Sequence, residues 1–220
     1  METIQVRGSN CHILHPNDGP WLYWLTQSGC EKDLLLLDQK IQQMVNKPYG
    51  LAALEAENWN REYSPWPAPA AFGKEDFPGE GEKTLCALQE LAELTGKGQT
   101  RYVGGYSLAG LFALWAVYKS KYFDGVASCS GSLWYPGWQD WVETQTLPEN
   151  CSVYLSLGKK EEHTRNRILA RVGDATRKQY EVLCSDKHVD RTALVWHEGG
   201  HFNEPTQRMA QGFVWLLTRQ

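Results

Sequence analysis

The sequence predicts an α/β fold in three layers: a mostly parallel central sheet, helices on both faces, and an antiparallel hairpin at the N-terminus. Two observations lead to it. From Thr100 onward, apolar β-like runs alternate with helical periods, the signature of a parallel sheet with helical crossovers. Before that point, the apolar runs Cys11–His15 and Trp21–Thr26 flank the turn-forming string Asn17-Asp18-Gly19-Pro20, which reads as a hairpin.

The elements follow in order. Glu31 to Val45 is a helix, with Leu34, Leu37, Ile41 and Val45 on one face, stopped at Lys47-Pro48. Leu51 to Ala56 is a buried strand. Residues 58 to 80 are Pro- and Trp-rich without a period, and loops of that length tend to be functional. Glu82 to Thr95 is a helix ending at Gly96. Strands are expected at Arg101–Gly105, Gly125–Ser130, Val153–Leu157 and Thr192–Trp196. Helices are expected at Leu108–Tyr118, Arg165–Cys184 and Thr206–Leu217. No repeat or compositional break divides the 220 residues, so one domain over 1–220 is expected.

Composition narrows the function. A chain that is 42% hydrophobic and 22% charged is globular rather than disordered. Its net charge of −4, without long basic runs, argues against a nucleic-acid partner. No apolar run approaches membrane-spanning length and the N-terminus has no signal-peptide pattern, so no membrane is expected and a cytoplasmic location is. The six cysteines lack CxxC spacing and read as free thiols in a reducing compartment. Self-association is left open by the sequence.

Gly105-Tyr106-Ser107-Leu108-Ala109-Gly110 stands where a strand must turn sharply into a helix. A serine hydroxyl needs a neighbouring base to become nucleophilic, and a strained strand-to-helix turn lifts it above the sheet. The close crossing demands small residues two before and two after; Gly105 and Ala109 supply them. The helix N-terminus then offers the N–H of Leu108 to an oxyanion. A second donor is expected after the early strand, at Gln27 or Ser28.

The base should come late in the chain. His201, in the flexible turn Glu198-Gly199-Gly200-His201-Phe202 after the last strand, is the candidate. The same stretch spells His197-Glu198-Gly199-Gly200-His201, a literal HExxH. That zinc motif works only on a helix, and two adjacent glycines oppose one, so no metal is expected there. The acid should follow the strand Val153–Leu157, at Glu161 with Glu162 as its alternative; a solvated charge run is the competing account. Trp59, Trp66, Trp134, Tyr135 and Trp138 lie in loops beyond strand ends, where ligands bind in open α/β sheets, and are candidates for a substrate pocket. Ordinary core packing is the other account for each.

These motifs carry a resemblance. Gly105-Tyr106-Ser107-Leu108-Ala109-Gly110-Leu111-Phe112, Ser156-Leu157-Gly158-Lys159-Lys160-Glu161 and Gly199-Gly200-His201-Phe202 resemble the esterase family of α/β-hydrolases that includes esterase D-like and siderophore (enterochelin) esterase-like enzymes. The resemblance runs from about residue 9 to 218. It implies hydrolysis of a small-molecule carboxylic ester without cofactor, through an acyl-enzyme on Ser107 with His201 as base. The sequence departs from the family at Ala109 and Lys159. Three rivals are weighed: a thioesterase or acyltransferase on the same site, a non-catalytic binding protein of the same fold, and a zinc hydrolase.

Overall fold

The computed structural model describes residues 1–16, 18–71 and 73–218. The turn residue Asn17 and Phe72 of the long loop lie outside them. Strands β1 (Glu2–Val6) and β2 (Ser9–Leu14) form a hairpin closed by Arg7 and Gly8, whose φ values are 50° and 89°. Two positive φ angles match the right-handed twist of the paired strands.

This is not the expected hairpin. Cys11–His15 does not pair with Trp21–Thr26. Strand β2 lies antiparallel to β4 (Gly50–Ala56), and β3 (Trp21–Gln27) runs parallel between β4 and β5 (Arg101–Tyr106). The burial of β3 explains its place: Trp21 to Thr26 are buried, so the strand needs neighbours on both edges and layers on both faces. The remaining strands are β6 (Gly125–Cys129), β7 (Cys151–Gly158) and β8 (Val189–His197). The sheet order is β1-β2-β4-β3-β5-β6-β7-β8, parallel from β4 to β8.

On one face, α1 (Glu31–Met44) and α7 (Pro205–Leu217) share a core built from Leu34, Leu37, Ile41, Met209 and Phe213. On the other lie α3 (Gly81–Thr95), α4 (Leu108–Lys119) and α6 (Val172–Ser185), with the short α2 (Trp59–Glu62) and α5 (Trp138–Val142) beside them. Helix α4 is buried from Leu108 to Tyr118, as its all-apolar sequence requires.

The helix expected over Arg165–Cys184 begins only at Val172. Before it stand 3₁₀ turns at Glu161–His163 and Leu169–Arg171. The Asn166 carboxamide oxygen accepts the N–H groups of Ile168 (2.9 Å) and Leu169 (3.3 Å), replacing the helical bonds upstream. Its amide nitrogen donates to Ala71 O at 2.8 Å and so ties this segment to the long loop. No helix among the described residues is long and apolar enough to cross a membrane.

Candidate active site

The C-terminal ends of β5, β6, β7 and β8 lie side by side, and each delivers one part of the site. After β5, Ser107 takes φ 60° and ψ −124°, a conformation L-residues avoid and the nucleophile elbow requires. The turn is pinned from outside: Ser107 N–H donates to Cys129 O (3.0 Å), and Ser107 O accepts from Ser132 N–H (3.0 Å) and Leu111 N–H (3.1 Å). A Cβ on Gly105 would stand 2.4 Å from Ala109 O and 2.9 Å from the Ala109 methyl. The missing side chain at position 105 is therefore what lets position 109 carry one.

Ser107 Oγ lies 3.1 Å from His201 Nε2, and His201 Nδ1 lies 2.7 Å from Glu161 Oε2. The turn that carries His201 is shaped by Gly199 at φ 87° and by Asn203, whose side-chain oxygen accepts Gly200 N–H at 2.7 Å. His201 is about one-third exposed while Glu161 is 4% exposed, so the carboxylate sits in a dry setting and the imidazole reaches solvent.

The second carboxylate oxygen of Glu161 is held as firmly. Oε1 accepts the N–H of Gly158 (2.7 Å), the hydroxyl of Ser130 (2.7 Å) and Nη1 of Arg208 (3.0 Å). Burial alone would raise the Glu161 pKa; the bonds from His201, Ser130 and Gly158 outweigh it and hold the carboxyl below its ordinary range. Arg208, 2% exposed, also donates through Nη2 to Glu198 O (3.1 Å) and Gly200 O (3.0 Å). One guanidinium thus clamps both the acid and the backbone that presents the imidazole. Tyr106 adds a bond from its hydroxyl to His201 O at 2.7 Å; burial pushes its own pKa up to about 12, so it stays a neutral donor.

Glu162 is turned away. It forms a two-pronged bond with Arg177 (2.8 Å to each oxygen) and takes no part in the cluster. Leu108 opens α4, where first-turn N–H groups have no intrahelical acceptor. Of the two expected donors, Gln27 is the last residue of β3, and Ser28 is corrected: its N–H donates to Ala56 O at 3.2 Å, on the β4 side. Strand alternation turns the N–H of Gln27 the other way, since Trp21 N–H on the same side bonds Thr100 O. The β3–β5 ladder ends at Leu25 and Gly105, leaving Gln27 unpaired with β5 at the level of the elbow.

The aromatic residues separate into two groups. Tyr135 (2% exposed) and Trp138 (0%) are core residues, not pocket walls. Trp138 donates its indole N–H to buried Gln179 (3.0 Å) and stacks on Trp66, while Tyr135 OH bonds Trp66 O at 2.6 Å. Both sit too deep because α5 begins right at Trp138 and folds over α4. Trp59, Trp66 and Trp134 remain half-buried beyond the strand ends. The HExxH string does not form a helix: His197 closes β8 and His201 lies in the following turn, both its nitrogens directed at Ser107 and Glu161. Exposed Glu198 pairs with Lys159.

The sequence reading missed Tyr106, Ser130 and Arg208. Arg208 did leave a signal: it shares a helical face with Gly212 and Leu216, where a long cation is out of place unless a buried anion faces it.

No family model matches the chain. A Bacillus subtilis (strain 168) protein, "Uncharacterized protein YbbA", is 28% identical over 164 residues, 70% of this chain. The match spans 66% of that relative, just under two thirds of its length. Among solved structures, an IroE-like serine hydrolase from Shewanella oneidensis superposes with a TM-score of 0.79 at 13% identity, covering 98% of this chain and 79% of the other. The siderophore hydrolase EstB from Aspergillus nidulans gives 0.64 at 14% identity, covering 98% and 93%. Est1E from Butyrivibrio proteoclasticus gives 0.61 at 10%, covering 98% and 96%. An eight-stranded, mostly parallel sheet with its sharp turn after β5, together with these superpositions, gives the chain the α/β-hydrolase fold.

Proposed function

We propose that the protein is a serine esterase that cleaves a small-molecule carboxylic ester through an acyl-enzyme on Ser107. The observation that carries this reading is the unbroken chain of contacts from Ser107 Oγ to His201 Nε2 (3.1 Å) and from His201 Nδ1 to Glu161 (2.7 Å). Such a chain requires Nδ1 to hold a proton against the carboxylate, which leaves Nε2 with a lone pair aimed at the serine.

His201 takes the Ser107 proton as Oγ attacks the ester carbonyl, and the Glu161 carboxylate stabilises the imidazolium that forms. The N–H groups of Leu108 and Gln27 receive the oxyanion. The imidazolium then protonates the departing alcohol, and the same nitrogen deprotonates the water that releases the acid. No step needs a metal or an organic cofactor. The depressed pKa of Glu161 supports the scheme, since it keeps the carboxylate ionised as the partner of the imidazolium.

The test is labelling with a fluorophosphonate, followed by a panel of carboxylic esters. The siderophore hydrolases among the structural relatives make siderophore esters the first to include. A single adduct on Ser107, lost in Ser107→Ala together with turnover by about 10⁵-fold or more, is expected. Folded protein that takes no label would favour a non-catalytic binding role. Label with turnover of thioesters alone would make the enzyme a thioesterase.

A further inference from the structure

On the far side of the oxyanion strand from the elbow, three donor side chains converge that the hydrolytic scheme does not use. His12 comes from β2, Glu55 from β4, and Cys30 from the position just before α1. They are 4%, 4% and 2% exposed, and their nitrogen, oxygen and sulfur donor atoms all lie within 4.8 Å of one another.

Glu55 and His12 each have an unfilled demand. Glu55 is a buried carboxylate that no Lys or Arg pairs with among the described residues; Oε1 accepts the Cys30 N–H at 3.0 Å, Oε2 is 3.5 Å from the Asn10 amide, and its other neighbours are the Cys30 thiol and the His12 ring. A buried charge of that kind is costly unless a cation meets it. His12 Nε2 is fully enclosed and makes no hydrogen bond; it lies 3.3 Å from Glu55 Oε1 but at an angle that does not form one. Its other nitrogen, Nδ1, is 2.9 Å from the hydroxyl of Thr3, directly opposite on β1. With the Thr3 oxygen as acceptor, the ring proton sits on Nδ1 and the Nε2 lone pair turns inward, the arrangement found behind metal-bound histidines.

We propose that His12, Cys30 and Glu55 bind one zinc ion, which clasps β2 and β4 to the loop that follows β3. The donor set suits the metal: imidazole, thiolate and carboxylate are all zinc ligands, and a water completes the tetrahedron. Tetrahedral zinc places its donors roughly 3.3–3.7 Å apart, so the three side chains need to draw in by about 1 Å. Charge balances as well, since one thiolate and one carboxylate neutralise a divalent cation. The thiol proton of Cys30 leaves to solvent on binding, so uptake weakens as pH falls. The ion is structural and separate from the hydrolytic chemistry. Its nearest consequence falls on Gln27, the last residue of β3 and three before Cys30.

The test uses the full chain with the exposed Cys86 and Cys184 replaced by serine, which removes adventitious thiol sites. Chelator-treated protein is titrated with Co²⁺ and then Zn²⁺. Expected are one Co²⁺ per chain, visible bands of a tetrahedral ion with a thiolate-to-cobalt band, and displacement by Zn²⁺. Zinc at about 100 times its Kd should raise Tm by about 5–10 °C. Cys30→Ser removes the thiolate band and His12→Gln abolishes stoichiometric uptake. If either variant fails to fold, X-ray absorption of the zinc-loaded parent decides, with one sulfur among the nearest neighbours expected. Folded parent protein that takes up no Co²⁺ or Zn²⁺ overturns the proposal and leaves His12 and Glu55 as a buried ion pair. A thiolate band that survives Cys30→Ser overturns it too.

Discussion

Glu161 depends on its surroundings more than any other residue of the site. Four donors, from His201, Gly158, Ser130 and Arg208, keep a buried carboxyl ionised. Because its folded pKa is depressed, it adds stability that is present above the ordinary carboxylate range, near 4.3, and is lost as pH falls through the folded value. Glu161→Gln should therefore flatten the loss of stability below about pH 5, measured by denaturant unfolding at a series of pH values. The same variant should lower kcat by about 10³–10⁴-fold, because the imidazolium loses its counter-charge. Arg208 touches no reacting atom and acts through Glu161 and the His201 turn. Arg208→Met breaks a buried ion pair and should cost about 3–5 kcal/mol. Arg208→Lys keeps the charge but loses the fork that reaches Glu198 O and Gly200 O, so kcat should fall with KM unchanged. Ser107, His201 and Glu161 could be singled out from sequence because each sits in a local context the chemistry demands. Ser130 and Arg208 could not, since their partners are distant in the chain and the demand for them arises only once Glu161 is buried.

Among the elements, the elbow shows how backbone space governs chemistry. Gly105→Ala would drive its Cβ into Ala109 O, so the helix or strand must shift. A loss of about 1–3 kcal/mol is expected, with a larger proportional loss of phosphonate reactivity than of folded fraction. Comparing labelling rate with the Tm of the variant checks this. The strands and helices of the second half were legible because each apolar run keeps one period and ends at a breaker. The first half was less so. Arg7-Gly8 makes a tight hairpin without the usual Asn-Gly or Asp-Gly signature, and an apolar run such as Trp21–Thr26 does not declare its partner. The delayed start of α6 was hidden for a third reason. Asn166 is tolerable in a helix by propensity, and its side-chain bonds to Ile168, Leu169 and Ala71 are what show that it is employed elsewhere.

At the scale of the whole molecule, the layers set which aromatics face solvent. Trp138 is locked between α4 and α6 through Gln179, so Trp138→Ala should cost about 3–5 kcal/mol in denaturant unfolding. A substitution at half-buried Trp134 should cost far less. Sequence could place both residues in a loop region but could not rank their depth, which depends on how α5 lies across α4.

The spread of the site along the chain has a consequence for how the protein is made. Ser107 and His201 are 94 residues apart, and Glu161 stands 40 from His201. They meet only after β5, β6, β7 and β8 have taken their neighbours in order, and parallel strands joined by long crossovers assemble slowly. Reactivity of the serine is therefore a clock for the last stage of assembly. On dilution from denaturant, helical circular dichroism should recover first and phosphonate labelling last. A ribosome-bound chain that ends before His201 should hold most of its helices and yet remain inert to the probe.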